Sequence, residues 1–352
     1  ALRNGAINLG RALRACLGLA LRGRGAVVYV SVDANRGMIN TLAYTCAARL
    51  GGARRILLHH HSRAHVDRTT GIARALCRAG GARAVHICIC PSMAAALCAR
   101  YPEIRHTAAL SNIFTMPAPS ESAPSPRPGA QWESPRDGAR QEGQGERQEG
   151  RRLRLGHMSV LSFPKGLRLC VESLDALLAA GVDAELTLAG RFATPEAERF
   201  ARAAAARLDG RLILAGPVYG ADKQAWFDSL DLFLFPSLYR NETQGIVNLE
   251  ALAAGVPVFA FGGHCIEEDL AGLDGWCLPA DGDFVAHVRD YVTRHTGPNG
   301  AGSDGLGEGI TEGLAADLAA RRGQARARYA ALHAQSRSAF EDLCALILAP
   351  PA

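Results

Sequence analysis

The sequence predicts an α/β protein made of two successive parallel-sheet units, and three observations carry the prediction. Short apolar runs alternate with longer stretches of helical pattern along most of the chain. Such alternation implies parallel strands joined by right-handed helical crossovers. Residues 117–150 break the rhythm: they are rich in Pro, Ser, Gly, Gln and Glu and nearly free of apolar side chains. A segment of that kind cannot bury a core and is expected to be a disordered linker.

The elements follow in order. The chain opens in a helical stretch, and residues 25–31 (GAVVYVS) then read as a buried strand. MINTLAYTCAARLGG is a helix stopped by Gly51 and Gly52. RRILLHHHS and AVHICIC are further strands separated by the helix TTGIARALCRAGG, and a helix from Pro91 to Tyr101 precedes a fourth strand in AALSNIF. Beyond the linker, strands are expected at 152–158, 184–189, 211–215, 231–236 and 257–261, with helices between them. A loose stretch over 296–310 leads to a long helical segment, 311–352, which is expected to cross back and brace the first domain. The expected domains are therefore 1–116 and 151–295.

The chain has 352 residues, 48% hydrophobic and 21% charged, which is enough for two α/β domains. It contains no apolar run long enough for a transmembrane helix, and arginines interrupt the N-terminal stretch too often for a signal-peptide core. Ten cysteines are scattered without a CxxC pair, as expected of thiols in a reducing, cytoplasmic setting. The net charge of +5 hides an asymmetry: residues 1–116 carry sixteen arginines against Asp33, Asp67 and Glu103, whereas 151–295 is mildly acidic. A basic first domain suits a polyanionic partner such as an anionic membrane surface or a lipid-linked diphosphate. Nucleic acid is disfavoured, because the aromatic residues of a single-strand stacking platform are missing.

The chemistry concentrates in DLFLFPSLYRNETQGIVNLEALAAGVPVFAFGGH. A strand ends at Pro236, a polar loop follows, and a helix begins near Gly245. In open parallel sheets ligands bind beyond the carboxyl ends of the strands, where this loop lies. The free amides around Gly245, Ile246 and Val247 form a cradle for phosphate, and the glycine permits close approach. Glu242 and Glu250 frame the helix start; eight residues at helical rise span roughly 12 Å, comparable with the distance from a ribose to the sugar of a nucleotide sugar. A carboxylate can accept both hydroxyls of a ribose diol. Each Glu taken alone is as well explained as a solvated helix residue or a cap. In LSFPKGL, a Pro-Lys-Gly turn after the first strand of the second domain brings Lys165 to the same sheet edge, where its ammonium can neutralise a diphosphate. A PKG turn is also a common surface feature.

Residues 152–281 resemble the C-terminal domain of retaining glycosyltransferases of the GT-B fold, family 4. The resemblance rests on Glu-x7-Glu, an Ala-rich helix and Gly-Val-Pro-Val over Glu242–Val258, preceded in order by LTLAG and LAGPVYGADKQAWFDSLDLFLFPS. A weaker likeness over 25–114 rests on LHHHS and on ICPSM and LSN. The resemblance implies two Rossmann-like domains facing a cleft, the first of them N-terminally incomplete. It implies transfer of a hexose from a UDP-, GDP- or ADP-linked donor to a glycan or lipid-linked acceptor hydroxyl, with retained configuration and with no metal or other cofactor. Glu250 would hold the ribose, Glu242 would face the donor sugar, and Lys165 with Gly166 would bind the diphosphate. Val218 or Tyr219 would line the base pocket, with Thr243, Gln244, Gly245, Ile246 and Val247 completing the donor side. His61 would stand near the transferred sugar, with His59 and Arg63 on the acceptor side. Strand alternation puts His59 and His61 on one face and His60 on the other, which disfavours a three-histidine metal clip. The pattern departs from the family at Val160, where an Arg is usual, and at the absent opening strand and Gly-rich loop. A catalytically impaired relative that binds a nucleotide sugar or a partner protein, or a related GT-B enzyme acting on sugar nucleotides without elongating a glycan, are the competing expectations.

Overall fold

The computed structural model describes residues 2–34, 37–119, 151–295 and 309–349, so the expected linker and the 296–310 loop lie almost wholly outside the described residues. The chain divides into two compact units. One comprises Ala1–Met116, Asn241–Gln244 and His333–Ala352, the other Pro117–Arg240 and Gly245–Leu332.

The first unit holds α1 (Leu2–Arg22), β1 (Val27–Val32), α2 (Met38–Leu50), β2 (Arg55–His60), α3 (Gly71–Gly80), β3 (Ala84–Cys88), α4 (Pro91–Arg100) and β4 (Thr107–Ala109). The strands form one parallel sheet in the order β1-β2-β3-β4. Every residue of β2 and β3 is buried, as expected of central strands covered on both faces, whereas edge strand β1 exposes Val27 and Tyr29. Thr70 caps α3 by accepting from the Ala73 amide, and Pro91 opens α4 at the position that needs no N–H. The strand expected over AALSNIF is shorter than anticipated. It ends at Ala109, because Ser111 accepts from the Ile113 amide and turns the chain into a 3-10 segment over Asn112–Thr115.

The second unit holds β5 (Leu153–Met158), α5 (Leu167–Ala179), β6 (Ala184–Ala189), α6 (Pro195–Arg207), β7 (Leu212–Gly216), α7 (Gly220–Asp228), β8 (Leu232–Phe235), α8 (Ile246–Ala254), β9 (Val258–Phe261), α9 (His264–Asp269), β10 (Cys277–Leu278) and α10 (Phe284–His295). Its parallel sheet runs β10-β9-β8-β5-β6-β7. The order reverses between β5 and β8, the position in an open parallel sheet beyond whose carboxyl strand ends ligands characteristically bind. The core gathers Leu155, Leu174, Leu186, Leu234 and Phe259 from sheet and helices, with no polar atom to satisfy. At its margin Asp231 is almost fully buried and accepts from both Arg151 guanidinium nitrogens, at 2.7 and 2.5 Å, and from the Arg154 amide at 2.9 Å. Bidentate pairing of that kind offsets the cost of removing the charge from water.

The C-terminal helix α11 (Glu312–Leu348) contributes to both units. In the second, Leu314 and Leu318 join the core. In the first, Leu343, Leu346 and Ile347 pack against Leu57, Val85 and Ile87. There Arg54 donates to the Ile347 carbonyl at 2.7 Å and Arg55 to that of Ala349 at 3.3 Å, placing cations on the helix's negative end. Eight of the ten cysteines are free thiols; Cys90 and Cys265 are not, a departure from the expected all-thiol chain.

Candidate functional site

In the second unit, the turn after β5 and the loop after β8 are laced together at the reversal point. Phe163–Lys165 form a single 3-10 turn that ends in Gly166, whose φ of 90° is left-handed. A Cβ at Gly166 would lie 2.5 Å from the Pro236 carbonyl oxygen, so only glycine lets the two loops approach this closely. The Leu238 amide donates back to the Pro164 carbonyl at 2.8 Å. This junction sets Lys165, whose ammonium lies 4.7 Å from the centre of the Tyr239 ring, a cation–π contact.

Beneath the junction, the end of β5 carries a buried histidine. His157 donates from Nδ1 to the Leu234 carbonyl at 2.9 Å, because a carbonyl can only accept. Its Nε2 therefore accepts from the Ser159 hydroxyl, also at 2.9 Å, leaving the Ser159 oxygen free to receive a further hydrogen bond. Burial, assisted by the Lys165 charge, lowers the His157 pKa to about 4, so the ring is neutral at physiological pH. No local pattern in the sequence marks this pair.

Helix α8 starts at Gly245, with φ 65°, and a Cβ there would meet Asn248 Nδ2 and the Phe235 ring at 2.9 Å. Ile246 is exposed and Val247 half-buried. One and a half turns on, Glu250 Oε1 receives the Lys223 ammonium of α7 at 2.5 Å, while its Oε2 has no hydrogen-bond partner among the described residues. Lys223, absent from the sequence-based expectations, thus fixes the orientation of this carboxylate. Val218 and Tyr219 lie just before α7, Val218 half-buried and Tyr219 exposed as its N-cap. Val160, the position at which the sequence departs from the pattern it resembles, is 54% exposed just after β5.

In the first unit the end of β2 carries the histidines. The His59 and His61 rings lie against each other at a tilt of 36°, 4.0 Å between centres, and the Tyr29 hydroxyl bonds His59 Nδ1 at 2.8 Å. His60 points the other way, into the unit's core. Its Nδ1 lies 2.7 Å from His65 Nε2 and its Nε2 2.9 Å from His86 Nδ1. Burial lowers the pKa of His61, takes His59 and His65 to about 4 and His86 to about 3, and holds His60 well below the usual histidine value. All five rings are therefore neutral at pH 7. Arg63 is buried and paired with Asp67 at 2.9 Å.

The short segment Asn241–Gln244 packs with this unit. Thr243 Oγ1 donates to the His61 carbonyl at 2.9 Å, and half-buried Glu242 precedes it. Gln244 donates to Ser111 Oγ at 2.6 Å and accepts from Asn112 Nδ2 at 2.9 Å. Its amide is thus committed to the loop after β4. Glu242, Thr243, Gln244, His61 and His59 share one unit; Lys165, Gly166, Val218, Tyr219, Gly245, Ile246, Val247 and Glu250 share the other. Among the described residues no group of His, Cys, Asp or Glu is placed to hold a metal ion.

Residues 152–294 match the family model described as glycosyl transferases group 1. Over 110 residues the chain is 39% identical to the lipopolysaccharide core biosynthesis mannosyltransferase LpsB of Rhizobium meliloti (strain 1021), a match spanning 30% of each protein. Among solved structures, TarM aligns at TM-score 0.65 and 12% identity, over 95% of this chain and 58% of TarM. Anabaena Alr3699/HepE in complex with UDP and glucose aligns at 0.57 and 17% identity, over 90% of this chain and 77% of that one. The lipopolysaccharide outer core galactosyltransferase WaaB aligns at 0.58 and 15% identity, over 96% and 82%. The chain spans about a third of the length of LpsB and somewhat over half that of TarM. The fold is that of these structures, the GT-B arrangement of two parallel α/β sheets with a helix at the C-terminus, and residues 152–294 carry the likeness to group 1 glycosyl transferases.

Proposed function

We propose that the protein is a retaining glycosyltransferase that moves a hexose from a nucleotide sugar to an acceptor hydroxyl in glycan or glycolipid assembly. The observation that carries this reading is the junction at the sheet reversal. There Lys165, the amide-rich start of α8 and the Lys223-held carboxylate of Glu250 all belong to one edge of a segment that matches group 1 glycosyl transferases. Glu250 accepts the ribose hydroxyls, one on the oxygen left unpaired. Lys165 and the amides at Gly245, Ile246 and Val247 neutralise the diphosphate and the charge that grows on it as the bond to the anomeric carbon breaks. The acceptor hydroxyl attacks from the side the phosphate leaves, and the leaving phosphate oxygen takes its proton, which retains the configuration. Within the first unit, Glu242 and the neutral ring of His61 offer hydrogen bonds to sugar hydroxyls. No cofactor is required, and the basic first unit suits a lipid-linked or polyanionic acceptor at the cytoplasmic face of a membrane.

A catalytically impaired relative is the second reading, favoured by exposed Val160 in place of a second cation on the diphosphate. Turnover separates the two. Purified protein is incubated with UDP-, GDP- or ADP-hexoses and truncated lipopolysaccharide core acceptors, and the products are followed by NMR. We expect release of one nucleoside diphosphate and a product whose anomeric configuration matches the donor. Binding of a nucleotide sugar without transfer would favour the impaired relative, and an inverted product would overturn the retaining mechanism.

A further inference from the structure

Two hydrogen bonds in series fix the direction of the Ser159 proton. His157 is fully buried, and burial with the Lys165 charge nearby keeps its ring neutral, with a pKa of about 4. A neutral imidazole carries one N–H. That N–H is committed to the Leu234 carbonyl of β8 at 2.9 Å, so Nε2 is a bare acceptor. Among the described residues its partner is the Ser159 hydroxyl, at 2.9 Å. The serine proton therefore points inward, and the Ser159 oxygen offers only lone pairs to anything that approaches it.

The serine cannot escape this arrangement by shifting its backbone. Its amide donates to the Ala189 carbonyl at the end of β6, at 3.2 Å. On the carbonyl side Gly190 comes so close that a Cβ there would sit 1.9 Å from the Ser159 oxygen of the main chain. Strand alternation keeps the Ser159 side chain on the face of β5 that His157 occupies. Ser159 itself is half-buried, at the carboxyl end of β5 beside the strand-order reversal, so it keeps access to the sheet edge where the donor is proposed to bind. Chemistry then selects what it can hold there. Phosphate oxygens are acceptors, and to bind one Ser159 would have to turn its proton outward. That would strand Nε2 of a buried ring without a partner, a loss that outweighs an ordinary hydrogen bond made at the surface. A sugar hydroxyl can donate, and it gains its bond without disturbing His157.

We propose that Ser159 is a specificity-determining residue, an obligate hydrogen-bond acceptor for a hydroxyl of the donor sugar, and that His157 is the positioning residue that keeps it so. This role rests on the nucleotide-sugar reading above and adds to it a preference for the loaded donor over the nucleoside diphosphate left after transfer. Isothermal titration of the full chain with UDP, GDP and ADP, and with UDP-glucose, GDP-mannose and ADP-glucose, reads the two parts of the donor separately. For the base that binds, Ser159→Ala should weaken the sugar conjugate by about three- to tenfold, the worth of one hydrogen bond, and leave the nucleoside diphosphate unchanged. His157→Phe keeps a buried ring that accepts nothing, so the serine proton is free to turn outward. There the nucleoside diphosphate should bind at least as tightly as in the wild type, while the conjugate loses its advantage. A general loss of stability would weaken both ligands together and leave the ratio of their affinities as it was. An unchanged ratio in Ser159→Ala, whether both ligands weaken or neither does, would overturn the role of Ser159 and leave the donor site standing. If neither nucleotides nor conjugates bind the wild type, the donor-site reading fails and this role fails with it.

Discussion

His65, His86 and His157 are each almost wholly removed from solvent, and burial holds their pKa values to about 4, 3 and 4. In the unfolded chain these rings titrate near 6.5. Below that pH the unfolded chain takes up protons that the folded one refuses, so stability is complete above about 6.5 and is lost as pH falls toward the folded values. At pH 5 each ring costs about 2 kcal/mol relative to pH 7.5. Urea midpoints across pH 7.5 to 5 should fall steeply, in a window where most carboxylates stay ionised. His157→Gln should flatten the slope by about one proton, roughly 1.4 kcal/mol per pH unit. A pH-independent midpoint would mean that these histidines are not buried as described. Alternation along β2 was enough to send His60 to the face opposite His59 and His61. What it meets there was not legible, because His65 and His86 come from other parts of the chain and no local pattern announces a tertiary contact.

Among the elements, the turn after β5 and the loop after β8 depend on one residue without a side chain. Gly166 combines a φ of 90° with a site where a Cβ would sit 2.5 Å from the Pro236 oxygen. Gly166→Ala must therefore adopt a backbone conformation costly for an L side chain and also push the two loops apart. We expect a loss of about 2–4 kcal/mol in stability and displacement of Lys165. Chemical denaturation together with nucleotide affinity checks this; an alanine variant as stable as wild type would show that the loops are not tightly joined. The PKG turn could be found in the sequence because a Gly following Lys at a strand end is a local signal. Central strands such as β2, β3 and β6 were equally legible as short apolar-rich stretches between turns. The two-residue β10 was not, since Cys277–Leu278 is too short to have a pattern. Lys223 was missed for a different reason: its partner Glu250 lies on the next helix but one strand and a loop away, and a lone lysine on a polar helix looks solvated.

For the whole molecule, the strand order reverses between β5 and β8, where the donor site is proposed, and Lys165, Gly245 and Glu250 all belong to that edge of the second unit. The alternation of apolar runs and helical pattern made the parallel sheets predictable, yet the packing of Asn241–Gln244 with the first unit was not. Thr243 and Gln244 are held there by the His61 carbonyl, Ser111 and Asn112, partners more than a hundred residues distant. The central claim, that the second unit binds the nucleotide part of a donor sugar, is tested most directly by thermal melting against UDP, GDP, ADP and their sugar conjugates. A ligand at a hundred times its dissociation constant stabilises the folded form by about 2.7 kcal/mol, a readily measured shift. The account predicts a shift with one nucleotide series, lost in both Lys165→Ala and Glu250→Ala. No shift with any nucleotide, or one that survives both substitutions, would contradict it.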